Sequence, residues 1–488
     1  MIPGDLQQHS PNLLLARAWI AHHEYQQDML VELSNKASRL IEQEGSADAL
    51  RGEIYYFQGI IHFYSGNGKS SLQLFEKSRA LFPGNQRHIE GQLELHLNLS
   101  LYMVGQKDKA ISQLNKLVRQ MRLPVNIFTS RVVAGLAFIH MFSGDLPELV
   151  EEGRRLEAFA RKSRLDYTGA FATYMQGYAH LHAWDPDPAS KHLALTVQQR
   201  YILHIRASMD GMAGLALVQQ LRGKTAAATA TMDQLEEFVT GLNKSEYMQV
   251  VYSCRGRIAL LRGDLVSAFH WGELITETPS PAATFIWLEV PCITRARILI
   301  AEGSVNHLDK ASDLLKDLRQ ISEHCRHMNQ LIEITLLQAL LLEKQGRREQ
   351  ALDALAEAAE LSGPGGWVRP FIEPGPPMLE LLLALQQRNA HPGYIEKLIK
   401  VLKHQTFDVE TEVTEYSSES QREQLSWREL EVLALLAEGL RNKEIADRLF
   451  ISEVTIKKHL HNSFKKLNVT NRFQLVEIAT DIGLLDNK

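Results

Sequence analysis

Glycine recurs through the first three quarters of this chain at a nearly fixed interval. Gly66, Gly105 and Gly144 stand 39 residues apart, Gly223, Gly263 and Gly303 stand 40 apart, and Gly346 follows after 43. From Gly144 to Gly223 the interval is 79, two periods, and Trp184-Asp185-Pro186 holds the place of the absent glycine. A steady period of this size marks stacked helical units, none of which can bury its apolar face alone. That excludes a single compact core spread over the 488 residues. Length alone would suggest about three domains, and a repeat array breaks that arithmetic.

Each unit reads as two helices around the glycine. Leu95, Leu99 and Tyr102 recur at helical spacing before Gly105, and glycine ends such a helix because it takes the left-handed conformation without a Cβ clash. Five residues after the glycine stands a small residue in most copies: Ser71, Ala110, Ala228, Ala268 or Ala351. Seven before it there is often another: Gly59, Gly256, Ala296 or Ala339. Small residues at both places let paired helices approach closely. The spacing resembles the tetratricopeptide repeat, with a period longer than the usual length of about 34. No segment alternates as a strand does. The expected fold is all-α, a tetratricopeptide-like α-solenoid over residues 1–362 followed by a small helix-turn-helix domain. Tyr56, Phe63, Tyr64, Phe171, Tyr174 and Tyr178 are read as packing, although the last three share a face that a ligand could touch.

After Leu361 the texture changes. The run from Gly363 to Pro377 is too rich in glycine and proline for a continuous helix. An apolar helix from about Met378 to Leu402 is expected to cap the solenoid, so that residues 363–402 form one unit. Residues 403–424 are polar and acidic, with Glu410, Glu412, Glu415, Glu419 and Glu423, and read as a flexible linker.

Residues 425–488 carry the densest motif. Leu425-Ser426-x-Arg428-Glu429-x-Glu431-Val432-Leu433 is followed by Gly439-x-x-Asn442-Lys443-Glu444-Ile445-Ala446 and Ser452-x-x-Thr455-Ile456-Lys457-x-His459-x-x-Asn462. Lys466-Leu467-x-Val469-x-Asn471-Arg472 closes it. A short turn, Phe450 to Ser452, separates two helix-patterned segments, the layout of a helix-turn-helix. In the second, Ile456, Leu460, Phe464 and Leu467 share one face, while Lys457, Lys458, His461 and Lys465 gather on the other. A basic face is ordinarily only a solvated surface. Here the acidic residues lie almost wholly before the turn, and the sign changes where a reading helix would start.

These motifs resemble the LuxR-type, GerE-like DNA-binding domain of bacterial transcription regulators. Arg441, where the family usually has a small polar residue, and Ser463, where it usually has an apolar one, depart from its pattern. The resemblance implies base contacts by Lys457, Lys458 and His461, and their shared face suits donation to guanine N7 or O6. Ser452 and Thr455 suit the helix start and nearby phosphates. Lys443, Lys465 and Arg472 are phosphate candidates that position without reading sequence. The apolar face of 472–485 resembles the family's dimer contact, although packing on its own domain has an equal claim. Solenoid, Trp367-Val368-Arg369-Pro370-Phe371 and reader together resemble the C-terminal half of MalT-like regulators, large ATP-binding members of the LuxR group.

That resemblance implies a cytoplasmic regulator of transcription. Its partners would be double-stranded DNA, met as a homodimer, an inducer or partner protein on the solenoid's concave surface, and RNA polymerase as a further candidate. Two other readings stay open. One is an interaction scaffold; the other is the back half of an ATP-dependent switch whose nucleotide-binding domain is missing or separately encoded. A net charge of −5 fits a local basic reader on a neutral or acidic body. Cys254, Cys292 and Cys325 are too few and scattered for a disulfide framework or zinc site. Neither a signal peptide nor a membrane span is expected. Gly66-Asn67-Gly68-Lys69-Ser70-Ser71 imitates a phosphate loop, but Phe63 stands where the leading glycine belongs. Neither cofactor nor metal site is expected, and the chain is read as a non-enzyme. Histidines such as His62, His96, His140 and His180 are read as structural.

Overall fold

The computed structural model describes residues 10–481, apart from positions 25, 45–47, 83–86, 121–126, 413–426, 450–455, 458, 461–462, 464–468 and 470–471. Among the described residues there is no strand, and no helix is long and apolar enough to cross a membrane. Helices α1 (Pro11–His23) and α2 (Gln27–Glu44) form an opening pair. Eight pairs follow: α3 (Asp48–Tyr64) with α4 (Gly68–Leu81), α5 (Arg87–Met103) with α6 (Lys107–Gln120), α7 (Ile127–Ser143) with α8 (Leu146–Ser163), and α9 (Asp166–Ala183) with α10 (Pro186–Gln198). They continue as α11 (Ile205–Leu221) with α12 (Thr225–Gly241), α13 (Met248–Leu261) with α14 (Leu265–Glu273), α15 (Pro291–Glu302) with α16 (Val305–Cys325), and α17 (Met328–Lys344) with α18 (Arg348–Ser362).

The periodic glycines sit in the turns within these pairs, with φ between +71° and +86°. Trp184 takes the same place and the same left-handed backbone, at φ 59°, a conformation that costs a side-chain-bearing residue about 1–2 kcal/mol. The small residues sit where helices meet. Ala110, Ala228, Ala268, Ala351 and Ser71 are fully buried, and a Cβ on Gly59 would stand 2.5 Å from the Phe75 ring. First and second helices of a pair differ in sequence pattern because they differ in burial. In α11 every residue from Arg206 to Val218 is buried. In α12 only one stripe is, Ala228, Thr231, Met232, Leu235, Phe238 and Val239, as on an amphipathic outer helix.

The array coils far enough to meet itself. The Tyr102 hydroxyl donates to the Arg326 carbonyl at 2.8 Å, the Trp367 indole N–H to the Gly144 carbonyl at 2.6 Å, and the Val368 amide to the His182 carbonyl at 2.8 Å. Lys244 pairs with Glu24 at 3.0 Å. The space inside is occupied. Between α14 and α15 the chain leaves the helical pattern, and residues 284–290, Thr-Phe-Ile-Trp-Leu-Glu-Val, are all buried. The concave surface, where an inducer or partner protein is expected, is therefore lined by the chain's own segment.

Beyond α18 the glycine-rich turn leads into the short helix α19 (Arg369–Ile372), with Trp367, Val368 and Phe371 buried. The single capping helix expected near Met378–Leu402 is two: α20 (Pro376–Gln387) and α21 (Pro392–Glu412). Left-handed Asn389 and His391 break them apart, and Pro392 starts the second, where it has no intrahelical N–H to lose. Residues 403–412, read as linker, continue α21. The rest of that linker lies outside the described residues.

Candidate functional site

The reader has a small core of its own. Helix α22 (Trp427–Ala437) ends at Gly439, φ 85°. Helix α23 (Asn442–Leu449) follows, and Glu444 reaches back to accept from the Arg441 amide at 2.7 Å. That is one half of a capping box, and it serves a helix start where arginine cannot cap. In the next segment the described residues 456–457, 459–460 and 463 are helical. Ile456 and Leu460 are buried against Val432, Leu433, Leu436, Ile445 and Leu475, which bears out half of the predicted apolar stripe. Phe464 and Leu467 lie outside the described residues. Ser463 is buried and donates to the His459 carbonyl at 3.0 Å, so its hydroxyl does not cost a desolvated polar group.

Lys443 and Lys457 are exposed. Arg472 opens α24 (Arg472–Asp481) half-buried and donates to the Leu440 carbonyl at 3.2 Å. It therefore ties α24 to the turn between α22 and α23. Lys458, His461, Ser452, Thr455 and Lys465 lie outside the described residues. Of the apolar face expected for dimer contact, Ala479 is fully buried in the reader's own core, with Val476 and Ile478 packed against it. Sequence did not divide that face between the two roles.

The solenoid interior holds the charged and imidazole groups that no linear motif marked. Asp210 on α11 accepts from the Leu288 amide at 2.6 Å, the Glu289 amide at 3.1 Å, the Tyr174 hydroxyl at 2.8 Å and Arg206 at 2.7 Å. Beside it, three arginines meet three carboxylates. Arg257 bonds Glu289 at 2.6 Å and Glu373 at 2.6 and 2.7 Å, Glu333 receives Arg297 and Arg369, and Arg369 also bonds Glu373 at 2.5 Å. The cluster is neutral overall and buried. Burial pushes the Glu373 carboxyl up, but Arg257, Arg297 and Arg369 outweigh it and hold the group well below the usual carboxylate range. The same contest, with Arg257, Ser253 and Thr294 as partners, keeps Glu289 low.

A cavity lined by aromatic and imidazole side chains opens in this interior. Phe285 and Trp287 of the filling segment form one wall, and Tyr64, Phe138, Tyr167 and Phe171 form others. His22, His23, His96, Arg131 and His204 also line it. A second, more open depression shares His23, Arg131, Tyr167 and His204 with it, so these four stand between the cavity and solvent. Burial keeps the imidazoles neutral: His96 is pulled down to about 4 and His204 to about 3, chiefly by desolvation. His22 lies well below its ordinary value, through burial and then the neighbouring His96. Burial followed by the Arg131 charge lowers His23. Tyr174 and Tyr178 are fully packed as expected, whereas Phe171 and Tyr64 touch the cavity. His96, read as structural, hydrogen-bonds the Gln92 carbonyl at 2.9 Å and also faces the cavity.

A family model described as the MalT-like TPR region matches residues 45–388. The chain belongs to the MalT-like TPR family. Residues 423–479 match the model for bacterial regulatory proteins of the luxR family, the segment that folds as the reader. The HTH-type transcriptional regulator MalT from two strains of Klebsiella pneumoniae is similar to this MalT-like chain. Each is 27% identical over 302 residues, covering 55% of this chain and 31% of the relative. The match thus takes in less than a third of those relatives' length. Among solved structures, the Rap protein complexed with competence and sporulation factor gives a TM-score of 0.44 at 12% identity, covering 72% of this chain and 99% of that one. Yeast Tom70 gives 0.25 at 12% identity, over 80% and 98%.

Proposed function

We propose that this MalT-like chain is a regulator of transcription. Residues 425–488 bind promoter DNA as a pair, and the solenoid senses a ligand or partner protein. The observation that carries the reading is the luxR-family match at 423–479, on a segment with its own core and with Lys443 and Lys457 exposed. Lys457, Lys458 and His461 meet base edges; Lys443, Ser452, Thr455, Lys465 and Arg472 meet the backbone. The reading assigns no reaction to the chain, places it in the cytoplasm, and leaves RNA polymerase as the partner at the promoter.

Selection of bound duplexes from a random pool, followed by titration of the enriched site, tests this. Lys457→Ala should weaken the enriched site by about 1–3 kcal/mol and relax preference at one position, whereas Lys443→Ala should weaken all duplexes alike. A pool that enriches no sequence overturns the regulator reading. Identical behaviour of the two variants overturns the division between base and phosphate contacts.

A further inference from the structure

The interior cavity has a lopsided chemistry. Its described lining holds one arginine and four histidines, and no aspartate or glutamate. Elsewhere in the interior each buried arginine meets a carboxylate, as Arg206 meets Asp210 and Arg257 meets Glu289. Arg131 does not. Its guanidinium lies over the Tyr167 ring, 5.2 Å from the centroid, and pairs with no carboxylate among the described residues. Stacking on an aromatic face leaves the edge of the guanidinium fork, with its N–H donors, available to a planar anion.

Hydrogen bonding also fixes which nitrogen of His96 carries its proton. His96 Nδ1 sits 2.9 Å from the Gln92 carbonyl, so it must donate there. The Tyr56 hydroxyl lies 3.3 Å from that nitrogen and 3.5 Å from His22 Nε2. His22 Nδ1 is a buried ring nitrogen with no hydrogen-bond partner among the described residues. The Arg131 guanidinium thus offers N–H groups to an acceptor in the cavity. The remaining walls, Tyr64, Phe138, Phe171, Phe285 and Trp287, favour a flat apolar body.

We propose that the cavity takes a small aromatic carboxylic acid, resting on the reading of the solenoid as the sensing arm, with the carboxylate on Arg131 and the ring between the aromatic walls. Arg131 and Tyr167 stand at the neck shared with the outer depression, where an entering acid meets them first. The occupant would lie against Phe285 and Trp287, on the same segment that Asp210 and Glu289 tie into the interior. Ligand and filling segment therefore share a wall, which gives occupancy a route to the packing of the coil.

The test is calorimetric titration of the full chain with benzoate, phenylacetate and indole-3-acetate, each beside its neutral amide. At least one acid should bind below about 1 mM, and its amide should bind roughly tenfold to a hundredfold more weakly, the size of a lost charge-assisted bond. Arg131→Gln should impose a similar loss on the acid alone, and Arg347→Gln, at an exposed turn, none. Amides binding as well as acids, no acid binding below about 1 mM, or an Arg131→Gln chain that folds and keeps the affinity would each overturn the proposal. The acid/amide comparison on the unaltered chain decides the matter even if Arg131→Gln fails to fold. Measuring DNA affinity with and without the bound acid separates the two readings: acid binding without any change at DNA keeps the cavity assignment and overturns the sensing role.

Discussion

Asp210 accepts the backbone amide of Leu288 at 2.6 Å, and through that bond the segment filling the solenoid is fixed to helix α11. The same carboxylate holds the Glu289 amide, the Tyr174 hydroxyl and Arg206. Such a hub matters because residues 284–290 are buried without forming helix or strand, so their backbone amides need partners that a regular ladder would otherwise give. Asp210→Ala would strand four donors, one of them a buried guanidinium. It should lower stability by about 3–5 kcal/mol, read as a fall in the urea midpoint. Asp210→Asn keeps the shape and part of the accepting capacity, and should cost less. A shift under about 1 kcal/mol for the alanine variant would show that the segment is held by its apolar contacts alone.

Acid should loosen the coil through its histidines. His96 sits near 4 in the folded chain, and His204 and His327 near 3, because burial disfavours the imidazolium. Unfolded, each returns to about 6.5. Between those values the unfolded chain binds more protons, so stability is complete above about 6.5 and falls as pH drops toward 4. At pH 5 each such histidine should subtract on the order of 1–2 kcal/mol. Urea midpoints at pH 7, 6 and 5 check the slope, and His96→Gln should flatten it. An equal slope in that variant would place the acid sensitivity elsewhere.

The repeat was legible because it is written in local terms. A left-handed turn residue and a small residue at a helix crossing are each demanded by backbone geometry within one pair, so Gly105 and Ala110 announce themselves. Even the exception could be read, since Trp184 keeps the turn that glycine makes elsewhere. The cavity was not legible. His22, His96 and Arg131 come from three separate helical pairs and His204 from the turn before a fourth, and only the coiling of the whole array brings them to one place. The filling segment hid for another reason. Phe285-Ile286-Trp287-Leu288 looks like any apolar stretch, and its role depends on Asp210, far upstream. In the reader the burial of Ile456 and Leu460 followed from periodicity, whereas the Arg472 bond to Leu440 is a tertiary detail.

Two glycines should respond very differently to alanine. At Gly346 a Cβ meets open space, so Gly346→Ala costs only the strain of φ 74°, about 1–2 kcal/mol. At Gly365 a Cβ would stand 1.9 Å from the Gly144 carbonyl oxygen, where the glycine-rich turn presses on the α7–α8 turn. That carbonyl also receives the Trp367 indole. Backbone on both sides cannot yield without breaking this bond, so Gly365→Ala should cost more than about 3 kcal/mol, at the large end for a point substitution. Comparable melting temperatures for the two variants would mean that the turn moves freely, and that the Trp367 bond does not anchor it.

The phosphate contact proposed for Arg472 is separable from its bond within the reader, and salt distinguishes them. Its donation to the Leu440 carbonyl ties the start of α24 to the turn between α22 and α23, and its remaining donors are those proposed to meet a DNA phosphate. Losing the protein bond should destabilise the reader by about 0.5–1.5 kcal/mol, visible as faster amide exchange in α22 and α24 while the solenoid is unchanged. A lost phosphate contact should also reduce the slope of log affinity against log salt by about 0.9. Arg472→Ala should therefore show both effects on a selected duplex. Arg472→Lys keeps the charge on a more flexible stem, so it should restore most of the salt slope and less of the exchange protection. Faster exchange with an unaltered salt slope in Arg472→Ala would make the residue purely structural and remove it from the DNA contacts.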